Sequence, residues 1–139
     1  MKLTVIDIGN TNTRIAEWNG VSLSHCTSIS TAKITSKKIP PETPAAISCV
    51  VPQIKSKIKN RNILWINAMC GTGLDFSAVD SSTIGSDRVA GAAAAAKFAK
   101  LPAIVVDIGT AITVDAIAKG GVFLGGAILP GRAMMKNAL

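Results

Sequence analysis

Hydrophobic residues fall mainly in short runs, and clusters of Gly, Pro, Asn and Ser separate these runs. Short apolar runs bounded by turn-forming residues are typical of strands buried in a sheet. We therefore predict buried strands at five runs: Leu3–Ile8, Ala45–Val51, Ile63–Ile66, Ala103–Val106 and Val122–Leu129. The loop that follows the third run, Gly71–Ser82, is rich in Gly, Ser, Thr and Asp.

Two pairs of turn residues predict hairpins between strands. Asn19-Gly20 is a strong signal for a type I′ turn, so a strand around Arg14–Trp18 should return antiparallel over Val21–Cys26. Gly120-Gly121 predicts another hairpin that leads into the last apolar run. Three consecutive hairpin-connected strands should thus open the fold.

Helical segments should alternate with the later strands. The predicted segments are Thr31–Ile39 (a short helix or a loop), Gln53–Lys59, Arg88–Lys100 and Arg132–Leu139. The third is the strongest, because its centre, Ala92–Ala96, consists of the residue with the highest helix propensity. Asp87, or Ser86 before it, is the predicted N-cap of this helix.

One segment occurs twice. Val5–Thr13 reads VIDIGNTNT, and Val105–Thr113 reads VVDIGTAIT. Each is an apolar strand that ends on Asp, turns at Gly and continues through hydroxyl or amide residues. Glycine permits close backbone approach, whereas a carboxylate acts on phosphate only through a cation or water. We hypothesise that two such hairpins, facing each other, form a phosphate clamp; the plain alternative is a tight turn with a locally satisfied Asp.

A second chemical feature is Gly85-Ser86-Asp87-Arg88, at the start of the alanine-rich helix. An Asp beside an Arg at a helix N-terminus offers a base and a cationic anchor, and the helix N–H groups attract anions. Phosphoryl transfer needs such a carboxylate and such positive charge. The alternative is that Asp87 only caps the helix and Arg88 lies on the surface.

The net charge of +7 suggests nucleic-acid binding, but we consider nucleic acid an improbable partner. Solvated faces of two short helices explain the basic residues better, since the chain has no Tyr and only three Phe to stack on bases. The residues concerned are Lys33, Lys37, Lys38, Lys55, Lys57, Lys59 and Arg61.

The sequence indicates a cytoplasmic protein without a membrane segment. No apolar run is long enough to span a bilayer, and Met1-Lys2 leads directly into a strand without a secretory signal. Cys26, Cys49 and Cys70 lack metal-binding spacing, so we expect reduced, buried structural thiols. There is also no P-loop and no dinucleotide-binding glycine pattern.

The order of predicted elements is β-β-β-α-β-α-β-α, followed by β-β-β again. This α/β arrangement is similar to the ribonuclease-H-like lobes of the actin, sugar-kinase and heat-shock-ATPase superfamily, in which the first hairpin of each lobe grips the phosphates of ATP. The resemblance implies a first lobe over residues 1–102. Residues 103–139 would be an incomplete second lobe, with its opening β-hairpins and the start of a helix.

The motifs resemble those of one family, the type III pantothenate kinases, in the family's order and across nearly the whole chain. The matching segments are Asp7–Thr13, Ser48–Pro52, Thr72–Leu74, Gly85–Arg88, Val106–Ala111 and Leu124–Gly131. This resemblance implies ATP-dependent phosphorylation of pantothenate, the first step of coenzyme A biosynthesis. It also implies a homodimer whose pantothenate pocket lies against the partner subunit.

The resemblance assigns roles to individual residues. Asp87 would be the general base, and the substrate site would consist of Gly85, Ser86, Asp87 and Arg88. Asp107 would hold the monovalent cation, K⁺ or NH₄⁺, while Mg²⁺ accompanies ATP. The residues expected to bind ATP are Asp7, Ile8, Gly9, Asn10, Thr11, Asn12, Thr13, Arg14 and Thr110.

Two departures from the family pattern keep other functions open. Ala78 stands where the family usually has a substrate-contacting Tyr, and the chain ends at Leu139, early in the second lobe. We expect the apolar faces of strands such as Ile104–Val106 to be covered by another chain, a swapped copy or further polypeptide. The alternatives to a kinase are a non-catalytic pantothenate-kinase-like binding or regulatory module and a transcription-accessory protein.

Overall fold

A computed structural model describes residues 2–35, 39, 43–58 and 62–138. The chain forms two compact units, one ending at Ile66 and the other beginning at Asn67. The predicted lobe boundary at residue 102 differs from this division. The difference arises because the alanine-rich helix packs against the strands that follow it in the second unit.

The first unit is a five-stranded mixed sheet. Its strands are β1 (Leu3–Ile8), β2 (Asn12–Trp18), β3 (Leu23–Ser30), β4 (Ala45–Cys49) and β5 (Ile63–Trp65). The spatial order is β3-β2-β1-β4-β5, with antiparallel pairing among the first three strands and parallel pairing of β1 with β4 and of β4 with β5. The predicted interior position of β4 is confirmed.

The core of this unit lies on one face of the sheet. Every second residue of β1 is buried, which is the two-residue period expected of a strand with one covered face. Ile6, Ile8 and Ile47 form the centre of the apolar cluster. The edge strand β3 is almost wholly exposed.

The second unit contains a three-stranded antiparallel sheet and the longest helix. The strands β6 (Ala103–Ile108), β7 (Ala111–Ile117) and β8 (Phe123–Pro130) lie in that order. The helices of the described chain are α1 (Pro52–Lys55) in the first unit, and α2 (Ser86–Phe98) and α3 (Arg132–Asn137) in the second. These two sheets with helices form a mixed α/β architecture that is consistent with a ribonuclease-H-like fold.

Two local predictions were wrong in detail. The hairpin between β2 and β3 forms, but its turn is not type I′, because Asn19 does not have the positive φ that this turn requires. Instead, the side-chain oxygen of Asn19 accepts hydrogen bonds from the N–H groups of Val21 and Ser22, each at 2.9 Å. The helix over Gln53–Lys59, which Pro52 was expected to start, does begin at Pro52 but ends already at Lys55; Lys59 lies outside the described residues.

The predicted burial of the cysteines was also wrong. Cys26 is exposed, because it lies on the edge strand β3, whereas Cys49 and Cys70 are half-buried. The prediction of a short helix or loop over Thr31–Ile39 is confirmed in its described part by a 3₁₀ turn at Thr31–Lys33. Residues 36–38 lie outside the described chain.

Side-chain turns order the loop that leads from β5 to α2. The carboxylate of Asp75 accepts the N–H of Ser77 at 2.8 Å, and that of Asp80 accepts the N–H of Ser82 at 3.0 Å. These hydrogen bonds favour the ionised form and lower the pKa of both carboxyl groups. For Asp80 the largest cause is the hydroxyl of Ser82. The loop predicted over Gly71–Ser82 is confirmed up to a short 3₁₀ turn that begins at Ser81.

Helix α2 packs on β6 and β7 through small side chains. Ser86, Val89 and Ala92 are its buried residues. A Cβ atom added at Gly91 would lie 3.5 Å from a methyl group of Val105, which is an ordinary van der Waals distance.

We expect Gly91→Ala to raise the free energy of unfolding by about 0.5–1 kcal/mol. Alanine loses less backbone entropy than glycine within a helix, and the space for its methyl group is present. Urea unfolding followed by far-UV circular dichroism measures the change. A destabilised variant would contradict the packing of α2 on β6 described here.

Candidate functional site

The predicted ATP-binding residues of the first unit form one hairpin. Asp7 and Ile8 end β1, Gly9–Thr11 form the turn, and residues 12–14 open β2. The Gly9 N–H donates to the Asn12 carbonyl at 3.0 Å, and the Arg14 guanidinium lies 3.7 Å from the Asp7 carboxylate. Both charged side chains are well exposed, so this ion pair contributes little to stability.

Two of these residues cannot contact a ligand through their side chains. Ile8 and Thr13 are fully buried, at 0% exposure. Any contact that they make with ATP would therefore use main-chain atoms. Asn10, Thr11 and Asn12 are exposed, and they present their side chains at the turn.

Thr31, which no sequence motif indicated, donates two hydrogen bonds to this turn. Its hydroxyl donates to the Gly9 carbonyl at 2.7 Å, and its N–H donates to the Thr11 carbonyl at 2.9 Å. The Thr13 hydroxyl lies 3.0 Å from that of Thr31. No sequence signal indicated this role, because Thr31 follows an exposed strand and belongs to no recognised motif.

The predicted substrate residues lie at the start of α2. Gly85 is the N-cap, so the prediction of Asp87 or Ser86 in that position was wrong. Gly85 adopts an extended conformation. Asp87 is the second residue of the helix, and its carboxylate accepts a hydrogen bond from the N–H of Arg88 at 2.8 Å. The carboxylate thus lies in the first turn, where negative charge interacts favourably with the helix dipole.

Arg88 forms a buried ion pair with Asp115, a residue that the sequence reasoning did not select. Its Nε donates to both carboxylate oxygens, at 3.0 and 3.2 Å, and its Nη2 donates to Oδ1. The side chain of Arg88 is 13% exposed and that of Asp115 only 2%. The hydrogen bonds to Asp115 are the largest cause that raises the pKa of Arg88, so its charge is held at all physiological pH values.

This geometry changes the expected role of Arg88. The structure does not place Arg88 on the surface, and its charge is already neutralised by Asp115. Within the described part of the chain, the hydrogen bonds of the Arg88 side chain use Nε and Nη2 and not Nη1. The guanidinium carbon also lies 5.9 Å from the centre of the Phe123 ring, which supports one side of the group.

Asp107 lies on the same face of the three-stranded sheet as Asp115. Val105 pairs with Asp115 and Asp107 pairs with Thr113, and cross-strand partners share a face. Asp107 is exposed, unlike Asp115. Thr110 lies in the turn between β6 and β7, where its carbonyl accepts the N–H of Gly131 at 3.0 Å.

The donor set around Asp107 suits a hard cation only if other oxygens take part. Among the residues that the structure describes, no group of three or more His, Cys, Asp or Glu side chains could hold a metal ion. Mg²⁺ and similar ions often bind one or two carboxylates and take their other ligands from water and phosphate. A single exposed carboxylate is compatible with this mode of binding.

The composition of its strand was a sequence signal that Asp115 is a buried, paired charge. It is a lone carboxylate within the apolar strand Ala111–Ile117, and a buried charge requires a partner. The sequence could not identify that partner, because Arg88 is 27 residues away and on a different element.

Across the described residues, no helix is both long and apolar enough to cross a membrane.

Comparison with known proteins identifies the family. The family model for type III pantothenate kinase matches residues 3–139. The type III pantothenate kinase of Kosmotoga olearia is 35% identical over 162 residues, which include 100% of this chain and 61% of the relative. That of Desulforapulum autotrophicum is 35% identical, with 99% of this chain and 62% of the relative aligned.

A third relative shows the same coverage. The type III pantothenate kinase of Thermosipho melanesiensis is 36% identical, and the alignment includes 97% of this chain and 61% of the relative. The chain thus spans about three fifths of the length of the curated relatives that it matches. With a family model that matches nearly every residue and a site built from the segments described above, this chain belongs to the type III pantothenate kinase family.

Proposed function

We propose that this chain carries out, alone or as part of a larger assembly, the ATP-dependent phosphorylation of pantothenate in coenzyme A biosynthesis. The observation that carries the proposal is the first turn of α2, where the Asp87 carboxylate adjoins an Arg88 side chain fixed by Asp115. A base and an oriented hydrogen-bond donor are thus adjacent. Family membership supplies the identity of the substrates.

In the proposed reaction, the primary hydroxyl of pantothenate attacks the γ-phosphorus of ATP. A new P–O bond forms, the bond from the γ-phosphorus to the bridging oxygen breaks, and ADP leaves. Asp87 accepts the hydroxyl proton, and Gly85, Ser86 and Arg88 orient pantothenate. This division of roles fits phosphoryl transfer, in which positioning and electrostatic stabilisation provide most of the catalysis.

The ATP-binding role of the first hairpin is part of the same proposal. Gly9 and the exposed residues Asn10–Asn12 would contact the phosphates, and Asp7, with Arg14 beside it, would act on them through a cation or water. Ile8 and Thr13 would contribute only main-chain atoms, since their side chains are buried. Thr110, in the turn between β6 and β7, would also bind ATP.

A cation completes the proposed chemistry. Asp107 would hold a monovalent cation, K⁺ or NH₄⁺, and Mg²⁺ would accompany ATP. Such ions neutralise charge that develops on the transferred phosphoryl group. The exposure of Asp107 and its position on the face that carries Asp115 support this assignment.

The opposite face of the three-stranded sheet supports association. Ile104, Val106 and Ile108 are 63%, 54% and 67% exposed, and they point away from the face that α2 covers. An apolar surface of this kind marks a contact region. We propose that a second copy covers it in a cytoplasmic homodimer, or else a partner chain or further polypeptide. The same face favours the alternative function of a non-catalytic binding module.

The test is phosphorylation of pantothenate by the purified chain with Mg²⁺ and either K⁺ or NH₄⁺. We expect ATP-dependent product, and Asp87→Asn should reduce turnover about 10²- to 10⁴-fold, because loss of a general base has an effect of this size. Asp75→Asn is the matched control, since asparagine retains the oxygen that accepts the Ser77 N–H. Its turnover should stay close to that of the original chain.

Two results would contradict parts of this proposal. If turnover persists in Asp87→Asn, Asp87 is not the general base. No turnover under any cation, together with retained ATP or pantothenate binding, would favour the binding module. Isothermal titration calorimetry with each substrate separates these outcomes.

A further inference from the structure

Thr31 joins three points of the first hairpin although it lies 20 residues beyond the turn in sequence. Its hydroxyl contacts the Gly9 carbonyl and the Thr13 hydroxyl, and its N–H contacts the Thr11 carbonyl. Thr31 is 4% exposed and Thr13 is 0% exposed. This hydroxyl pair is therefore shielded from water, where a hydrogen bond gains strength and an unmade one becomes costly.

The direction of each hydrogen bond follows from the number of protons. A threonine hydroxyl has one proton to donate and can also accept. The Thr31 proton goes to the Gly9 carbonyl, which can only accept, at 2.7 Å. Thr13 must then be the donor in the contact between the two hydroxyls. The order is thus Thr13 to Thr31 to Gly9.

This order fixes the orientation of one peptide group in the turn. The Gly9–Asn10 peptide is trans, so its carbonyl and its N–H point in opposite directions. Because Thr31 holds the carbonyl, the N–H of Asn10 points away from Thr31. Asn10 is exposed, so a ligand that approaches the turn meets this residue.

We infer that Thr31 is a positioning residue for the phosphate-binding turn, an inference that rests on the proposed function. Its hydroxyl orients the Gly9–Asn10 peptide so that the Asn10 N–H is presented to a phosphate oxygen of ATP. Backbone N–H groups that are oriented before the ligand arrives bind anions without a cost of reorganisation. Thr31 itself does not touch the ligand.

The first experiment examines the turn without a ligand. Thr31→Val keeps the branched shape and removes the hydroxyl, while Thr31→Ser keeps the hydroxyl. In ¹H–¹⁵N spectra, we expect the Asn10 amide signal to shift in Thr31→Val, because a hydrogen bond to the Gly9 carbonyl polarises this peptide group. Thr31→Ser should restore the original position. An Asn10 signal that is unchanged in Thr31→Val would overturn the inference.

The second experiment measures the Kd of MgATP by calorimetry. We expect Thr31→Val to bind about tenfold more weakly, the size expected for the loss of one oriented hydrogen bond, and Thr31→Ser to bind within about twofold of the original. Thr27→Val is the matched control, because the Thr27 hydroxyl also donates to a main-chain carbonyl, that of Ile15, at 3.5 Å on exposed β3. Its Kd should not change.

The outcomes separate this inference from the proposed function. If the original chain binds MgATP and Thr31→Val binds it equally well, the role of Thr31 is wrong and the proposed function stands. If the original chain does not bind MgATP, the proposed function fails, and the phosphate role of Thr31 fails with it. Weaker binding by Thr31→Val that Thr31→Ser fails to rescue would indicate a packing role and would also overturn the inference.

Discussion

Replacing Asp115 by alanine should lower the free energy of unfolding of the second unit by about 3–5 kcal/mol, the usual result of removing one partner of a buried ion pair. The carboxylate is 2% exposed and accepts three hydrogen bonds from Arg88. Without it, the guanidinium, which is 13% exposed, keeps its charge and loses its partner. The loss arises mainly from that uncompensated charge.

Urea unfolding followed by far-UV circular dichroism measures this loss through α2, the longest helix of the described chain. Both tryptophans, Trp18 and Trp65, belong to the first unit, so their fluorescence is a separate reference. Asp107→Ala is the matched control on the same sheet face. Asp107 is exposed, and its replacement should change stability by no more than about 0.5 kcal/mol.

A double variant gives a stricter test of the cause. Arg88→Met combined with Asp115→Leu removes both charges and keeps apolar volume, so it should recover much of the stability lost in Asp115→Ala. A double variant that is as unstable as the single one would show that packing around Asp115, rather than its charge, is responsible. An Asp115→Ala protein with unchanged stability would contradict the ion pair itself.

Replacing Gly126 by alanine should destabilise the second unit by at least about 3 kcal/mol, at or above the upper range for overpacked positions. A Cβ atom at this position would overlap the main-chain carbonyl of Val114 on the neighbouring strand, and it would lie 2.8 Å from a carboxylate oxygen of Asp115. Main chain cannot move aside as a flexible side chain can. β8 would therefore have to separate from β7 where Asp115 pairs with Gly126.

The expected decrease in melting temperature is on the order of 10–20 °C for a unit of this size. Gly91→Ala is the internal control, since it adds the same methyl group where space exists and should act in the opposite direction. Differential scanning calorimetry of both variants provides the comparison. If Gly126→Ala melted at the temperature of the original chain, the close pairing of β7 and β8 at Asp115 and Gly126 would be wrong.

Most strands could be predicted because each is a short apolar run bounded by turn residues. Leu3–Ile8 forms β1 with the predicted bounds, and β4 lies in the sheet interior as its continuous apolar run indicated. The N-cap of α2 was placed one or two residues too late. Gly85 has no side chain to signal a cap, and it takes that position through its backbone conformation alone.

The candidate site could be predicted only where its residues are adjacent in sequence. Asp87 and Arg88 stand together, and the repeated Asp-x-Gly pattern revealed Asp7 and Asp107. Asp115 and Thr31 were missed, because each acts on a residue that is distant along the chain. Such pairings depend on how strands and helices pack, and no local pattern encodes them.

The pairing of Arg88 with Asp115 has a consequence for ligand selection. Nε and one N–H of Nη2 already donate to Asp115, so Arg88 can offer a ligand only its remaining N–H groups, on Nη1 and Nη2, and the pair as a whole is neutral. A ligand that approaches Nη1 meets a rigid donor with little long-range attraction. If Arg88 binds the substrate as proposed, this part of the site would discriminate among small molecules by where an acceptor atom lies, and much less by how much negative charge they carry.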